Sequence, residues 1–163
     1  MATAAGRVES INTSRGGVPK TAVFEGLVTE HGLDGDRQRN LRVHGGPDRA
    51  ISLYSLEIIR ALQREGHPIG VGTAGENLTL SGVDWVRAVP GTEIEIGEVC
   101  LLITKYASPC ETIADSFLGG DVTRISQKLH AGWSRVYARV LAGGLIRIGD
   151  PAILILRRSS VSG

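Results

Sequence analysis

Gly91-Thr92-Glu93-Ile94-Glu95-Ile96-Gly97-Glu98, followed by Leu101-Leu102-Ile103, is echoed by Gly143-Gly144-Leu145-Ile146-Arg147-Ile148-Gly149-Asp150, followed by Ile153-Leu154-Ile155. Each copy reads as a strand, a Gly-acid turn and a second strand. The isoleucines alternate with polar residues, so they share one face, and glycine allows the positive φ that a tight hairpin needs. Two such hairpins predict a closed or nearly closed β-barrel, which also removes exposed strand edges. The fold class expected is therefore mainly β with short helices (α+β).

The rest of the chain fits that frame. Val8 to Asn12 and Lys20 to Val28 read as early strands, and a Gly/Asp/Arg-rich loop comes after them. Ala50 to Tyr54 reads as a strand running into a helix over Ser55 to Arg64, with Ser55 as cap and Leu56, Ile58, Ile59 and Leu62 on one face; Gly66-His67-Pro68 ends it. Cys110 to Phe117 and Asp121 to His130 read as short helical patterns. Arg135 to Leu141 reads as a strand with Val136, Ala138 and Val140 on one face, and the tail from Arg157 to Gly163 as frayed.

With 163 residues, one self-sufficient core is expected, and we read residues 1–163 as a single domain with a core from about 11 to 156. A net charge of +1 provides no general attraction to nucleic acid or membrane surfaces, so a small or specific partner is expected. The two cysteines, Cys100 and Cys110, fit neither a disulfide framework nor a zinc or iron–sulfur site, which predicts a reducing, cytoplasmic setting. No signal-like start and no apolar run of bilayer length is present, so neither export nor anchoring is expected.

Four clusters carry possible chemistry. In Ser108-Pro109-Cys110-Glu111, Ser108 reads as a helix N-cap, Pro109 as first-turn proline and Glu111 as the partner in a capping box. Cys110 then falls at the second helical position, where unpaired N–H groups favour a thiolate able to ligate metal or attack an electrophile; the plain alternative is a small side chain at a turn. Cys100, within an apolar strand, reads as a packed, inert thiol. The loop from Gly32 through Arg37, Arg39 and Arg42 to His44-Gly45-Gly46-Pro47-Asp48-Arg49 offers arginines and close backbone approach to an anion, or is a solvated turn; it lacks nucleotide-loop spacing. Glu76 and Asn77, in a Gly-rich turn, either pair with a polar heterocycle or stabilise the turn. Lys105, ending a strand before Cys110, either faces an anion or snorkels. In His130-Ala131-Gly132-Trp133-Ser134-Arg135, Trp133 is a ring-stacking or a core residue and Arg135 a further anion site.

His44-Gly45-Gly46, Gly75-Glu76-Asn77-Leu78 and Pro109-Cys110, in this order from about Ile11 to Leu156, resemble the MOSC domain, the C-terminal domain of molybdenum-cofactor sulfurases that also occurs alone. The resemblance implies a β-barrel whose loops line a crevice for the molybdenum cofactor (molybdopterin). It implies Cys110 as the catalytic residue and molybdenum ligand, with His44, Gly45, Gly46, Arg49, Glu76, Asn77, Lys105, Ser108 and Arg135 about the cofactor. Many relatives carry an arginine shortly before the Pro-Cys pair. Here the run is Lys105-Tyr106-Ala107-Ser108-Pro109-Cys110, which passes the anion-binding role to Lys105 or Arg135, or weakens cofactor binding.

The activity so implied is an oxidoreductase that removes oxygen from N-hydroxylated or N-oxygenated small molecules and draws electrons from a separate reductase or electron-transfer protein. The alternatives are a sulfur carrier holding sulfane sulfur as a Cys110 persulfide, served by a cysteine desulfurase, or a non-catalytic ligand-binding barrel. Pyridoxal phosphate, a family-level association, is assigned to a partner enzyme, since Lys20, Lys105 and Lys128 are the only lysines and none sits in a Schiff-base setting.

Overall fold

The structure, a computed structural model, describes residues 5–14, 18–36 and 46–156. Its centre is a closed ring of strands: β1 (Gly6–Thr13), β6 (Leu78–Ser81), β5 (Ile51–Ser55), β9 (Val136–Ala142), β8 (Val99–Tyr106), β7 (Glu93–Ile96) and β11 (Pro151–Ile155), which pairs back onto β1. β2 (Thr21–Val23) extends the ring from β1, and β5 runs parallel to β6 while the other ring pairings are antiparallel. A separate sheet is formed by β10 (Gly144–Arg147), β3 (Glu25–Thr29) and β4 (Gly32–Leu33). The expected barrel is thus present.

Alternation explains its core. Ile94 and Ile96 from β7, Leu101 and Ile103 from β8, Val136 and Ala138 from β9, and Ile51 and Leu53 from β5 are all buried inside the ring. The first of the paired sequence units forms the expected hairpin, with Ile96 opposite Val99 and Gly97 at positive φ. The second does not. Its turn closes through Asp150 N–H to the Arg147 carbonyl, but β10 then pairs with β3, and both edges of β11 are taken by β7 and β1. Closing the barrel demands this: a hairpin between β10 and β11 would displace one of the neighbours that β11 needs. The single early strand expected over Lys20 to Val28 is likewise divided at Phe24, with β2 on the barrel and β3 on the smaller sheet.

Helix α1 (Leu56–Arg64) forms as expected, with the Ser55 hydroxyl accepting from the Ile58 N–H at 3.2 Å and Gly66 at positive φ just beyond the end. Leu56, Ile59 and Leu62 are its buried face. Ile59 and Leu62 join Tyr54, Ile69, Ala74, Ile113, Phe117 and Ile125 in a second cluster. Burial of side chains this size stabilises by roughly 1.5–3 kcal/mol each. That second cluster fixes the long excursion between β8 and β9 against α1, and so positions the turn that carries Cys110. No helix among the described residues is long and apolar enough to cross a membrane. The tail from 157 to 163 lies outside the described residues.

Candidate functional site

Cys110 does not occupy the second position of an α-helix. It precedes a six-residue 3-10 turn, Glu111–Ser116, as its N-cap, in extended backbone (φ −137°, ψ 167°), and no side chain caps the turn. Ser108 is exposed and Glu111 completes no capping box. The turn ends at Phe117, in extended backbone (φ −128°, ψ 144°), and its six residues are too short a run to offset α-helix nucleation. The helix-dipole argument for a thiolate therefore lapses. What remains is a half-buried sulfur at a tethered turn, 2.7 Å from the Thr112 hydroxyl oxygen, with the Cys110 carbonyl accepting from Ile113 N–H. Ile113 and Phe117, buried against α1, hold the turn in place.

Arg135 reaches this turn from the start of β9. Its side chain is buried, with the residue 7% exposed; Nη1 donates to the Ala74 carbonyl at 2.8 Å and Nη2 to the Ser108 carbonyl at 3.3 Å. Nε has no partner. The Ala107 N–H donates to the Arg135 carbonyl, so the turn is tied by backbone as well. An arginine thus reaches the segment before Pro109-Cys110 from the neighbouring strand.

Glu76 is fully buried. Its Oε2 accepts from Gly72 N–H at 3.1 Å and Thr79 hydroxyl at 2.8 Å, while Oε1 has no partner. Burial pushes its carboxyl up from the ordinary value, against the smaller opposing effects of these hydrogen bonds and of Arg135. Asn77 is saturated: its side-chain oxygen accepts from Ser52 N–H at 2.9 Å and Ser52 hydroxyl at 3.2 Å, and its Nδ2 donates to Asp36 at 2.9 Å and to the Asn12 carbonyl at 3.4 Å. Asp36 also holds Lys20 Nζ at 2.6 Å, with both side chains almost wholly buried. Asn12 closes the network onto Thr79. Lys20 and Asp36 are the residues that sequence reasoning missed. Their signal was faint: a lone lysine before a strand and an aspartate in a Gly-rich loop.

The remaining candidates gather partly at the same end. A register irregularity between Ile103 and Lys105 sets Lys105 opposite Tyr137, and directly opposed residues share a face of the sheet. Arg49 lies over the Tyr137 ring at 5.7 Å, and its 3-10 turn, Pro47–Arg49, is fastened by Thr104 to the Asp48 carbonyl and by Arg139 to the Asp48 carboxylate at 2.7 Å. Gly46 has positive φ, and among the described residues nothing stands within 4 Å of where its side chain would be. His44 and Gly45 lie outside the described residues.

Trp133 packs against the second cluster with Arg124 4.0 Å over its ring, and Arg124 is held by Glu65, so one face is already stacked; His130 is exposed. Cys100 is not the packed thiol expected: alternation places it on the outward side of β8, half-buried, between the buried Val99 and Leu101. A pocket of about 210 Å³ is lined by Trp85, Ala88, Tyr106, Gln127 and Ser134 among others.

Among the described residues no three His, Cys, Asp or Glu side chains converge as a metal cage. A metal that brings its own sulfur ligands within a cofactor needs only one soft protein donor, and Cys110 meets that condition.

The MOSC domain family model matches residues 40–152. The chain is 31% identical over 141 residues to Protein YiiM of Escherichia coli (strain K12), covering 83% of this chain and 62% of YiiM, so it spans less than two thirds of that relative's length. It is 26% identical over 158 residues to the uncharacterized protein YflK of Bacillus subtilis (strain 168), covering 86% of this chain and 71% of YflK. The crystal structure of YiiM from Escherichia coli superposes with a TM-score of 0.71 at 26% identity, covering 95% of this chain and 71% of that one. Barrel, ordered motifs and a family match over more than half of the sequence agree: the chain belongs to the MOSC domain family, which is associated in general with the molybdenum cofactor.

Proposed function

We propose that this protein binds the molybdenum cofactor through Cys110 and reduces N-hydroxylated or N-oxygenated small molecules, with electrons from a separate reductase or electron-transfer protein. One observation supports the reading: a half-buried, tethered Cys110 follows a Ser108 carbonyl held by a buried arginine that no carboxylate among the described residues contacts, at the end of the sheet where Lys105 and Arg49 flank Tyr137. A bound molybdenum cofactor would supply two-electron oxygen-atom-transfer chemistry at this place.

The chain's own residues do the rest. Cys110 offers one soft donor, which suits a thiophilic metal. Lys105, Arg49 and Arg135 provide positive charge suited to the cofactor's phosphate. Asn77 and Lys20 hold Asp36 and so tie the end of the Gly32–Asp36 segment to the barrel. Glu76 and Ser108 hold the turns on either side of Arg135, through Gly72 N–H and the Ser108 carbonyl respectively. The overall reduction balances as R–NHOH plus two electrons and two protons giving R–NH2 and water.

Protein made in cells able to build the cofactor tests this. Molybdenum and oxidised-pterin fluorescence should be present at one per chain, lost in Cys110→Ser and kept in Cys100→Ser. Protein free of metal but carrying cyanide-releasable sulfur on Cys110 would replace the oxidoreductase with the sulfur carrier; neither signal would leave a binding barrel.

A further inference from the structure

The pocket of about 210 Å³ is built from three stretches of chain: the turn Trp85–Arg87, Tyr106 at the end of β8, and the run from Gln127 to Ser134 that leads into β9. Its walls are fixed. Trp85 packs against both hydrophobic clusters, meets Tyr54 edge to face with ring centroids 6.3 Å apart, and donates from Nε1 to the Ser134 carbonyl at 3.0 Å. Gln127 Oε1 accepts from Gly132 N–H at 3.0 Å, which leaves Nε2 as the end of the amide without a partner among the described residues. The Tyr106 hydroxyl has none among them either. The other lining side chains are apolar or, as with Trp85 and Ser134, already hydrogen-bonded, and none is charged.

These walls set conditions on an occupant. A charged group entering here would leave water without meeting a counter-charge, so the occupant is neutral. Gln127 Nε2 can only donate and the Tyr106 hydroxyl can donate, so the occupant carries an acceptor. The Trp85 and Tyr106 rings favour an aromatic body. Size completes the description: an engineered cavity of about 150 Å³ holds benzene, so a pocket of about 210 Å³ suits one ring with a small substituent rather than a fused pair.

We propose that this pocket is a binding site for a small, neutral, single-ring aromatic compound whose carbonyl or ring-nitrogen acceptor is held by Gln127 Nε2 or the Tyr106 hydroxyl. Cys110 is not among the residues lining it, and the site stands apart from the cofactor chemistry proposed above. Because its walls come from both sides of the segment that carries Cys110, an occupant touches the two roots of that segment at once.

Benzamide, a neutral ring with one carbonyl, tests the site on the whole chain, with the indole N–H signals of the two tryptophans followed by NMR and assigned through Trp85→Phe. The Trp85 signal should shift saturably with a Kd on the order of 1 mM, the strength open to a fragment of this size. Benzoate and benzylammonium, alike in size but charged, should bind at least about tenfold more weakly. Gln127→Glu keeps the acceptor for Gly132 N–H but removes the amide donor, and should weaken benzamide about threefold to tenfold; Tyr106→Phe, which removes only a hydroxyl, should weaken it about twofold or more. Cys110→Ser should bind as the parent does.

A Trp85 signal that does not move up to the solubility limit of benzamide overturns the proposal, as does equal binding of either charged analogue or an unchanged affinity in folded Gln127→Glu. The charged analogues need no substitution, so the comparison decides even where a variant fails to fold. Loss of binding in Cys110→Ser overturns the separateness of the site by making it part of the Cys110 centre. Molybdenum content enters none of these measurements, so failure here and failure of the cofactor reading are told apart.

Discussion

Asn77→Ala separates a structural amide from a ligand-binding one. The Asn77 side chain is the hydrogen-bond acceptor for the buried Ser52 N–H at 2.9 Å and a donor to the Asp36 carboxylate at 2.9 Å. Alanine leaves the Ser52 N–H orphaned inside the barrel wall, a penalty of about 1–3 kcal/mol, and removes a hydrogen bond to a charged group worth about 1.5–3 kcal/mol. Asp36 still keeps Lys20 and the Ser14 N–H, so the second figure belongs at its lower end. The sum expected is roughly 2.5–4.5 kcal/mol, a large fraction of the stability of a small domain. Urea unfolding followed by the fluorescence of Trp85 and Trp133 measures it, with the slope against denaturant checked for constancy. A loss below about 1 kcal/mol would refute the claim that this amide holds the barrel to the loop, and would return Asn77 to the role of a ligand contact.

Two other perturbations act on single residues. Burial raises the Glu76 carboxyl above its ordinary value of 4.5, so the native state holds a proton that the unfolded chain has already released. Its contribution to stability is thus fully present below the unfolded value and is lost as pH rises through the folded one. Glu76→Gln cannot lose it, and its stability relative to the parent should climb from about pH 4.5 upward; a difference that stays flat in unfolding curves from about pH 5 to 8 contradicts this. Gly32 has φ +114°, and a side chain there would run into the Ala50 carbonyl. Gly32→Ala should therefore cost about 2 kcal/mol or more in the same unfolding assay, and a neutral result would mean that the β4 turn relaxes freely.

Local pattern and long-range contact divide what the sequence made legible. The alternating Glu93-Ile94-Glu95-Ile96 and the Ser55-capped face of α1 are written in neighbouring residues, and both form as expected. The Arg147–Asp150 turn was equally readable, yet the strand after it joined β7 and β1, because strand partners are chosen by ring closure rather than by the turn. Ser108-Pro109-Cys110-Glu111 carried the right cap letters, but a cap acts only on a helix that propagates, and here the backbone turns extended at Phe117. Cys110 itself, with Arg135 and Lys105, was legible as chemistry, and the structure brings these three to one end of β8 and β9. Lys20, Asp36 and Asn77 were not legible as a unit. They lie far apart in the chain, and only the closed barrel shows that their polar atoms must satisfy one another.

X-ray absorption at the molybdenum edge of protein purified from cofactor-making cells tests the central claim most directly. The expected spectrum contains a sulfur ligand that is missing from Cys110→Ser and present in Cys100→Ser. A molybdenum-bearing protein with the same sulfur count in Cys110→Ser would contradict it, because the metal would then be held without the sulfur on which this reading depends.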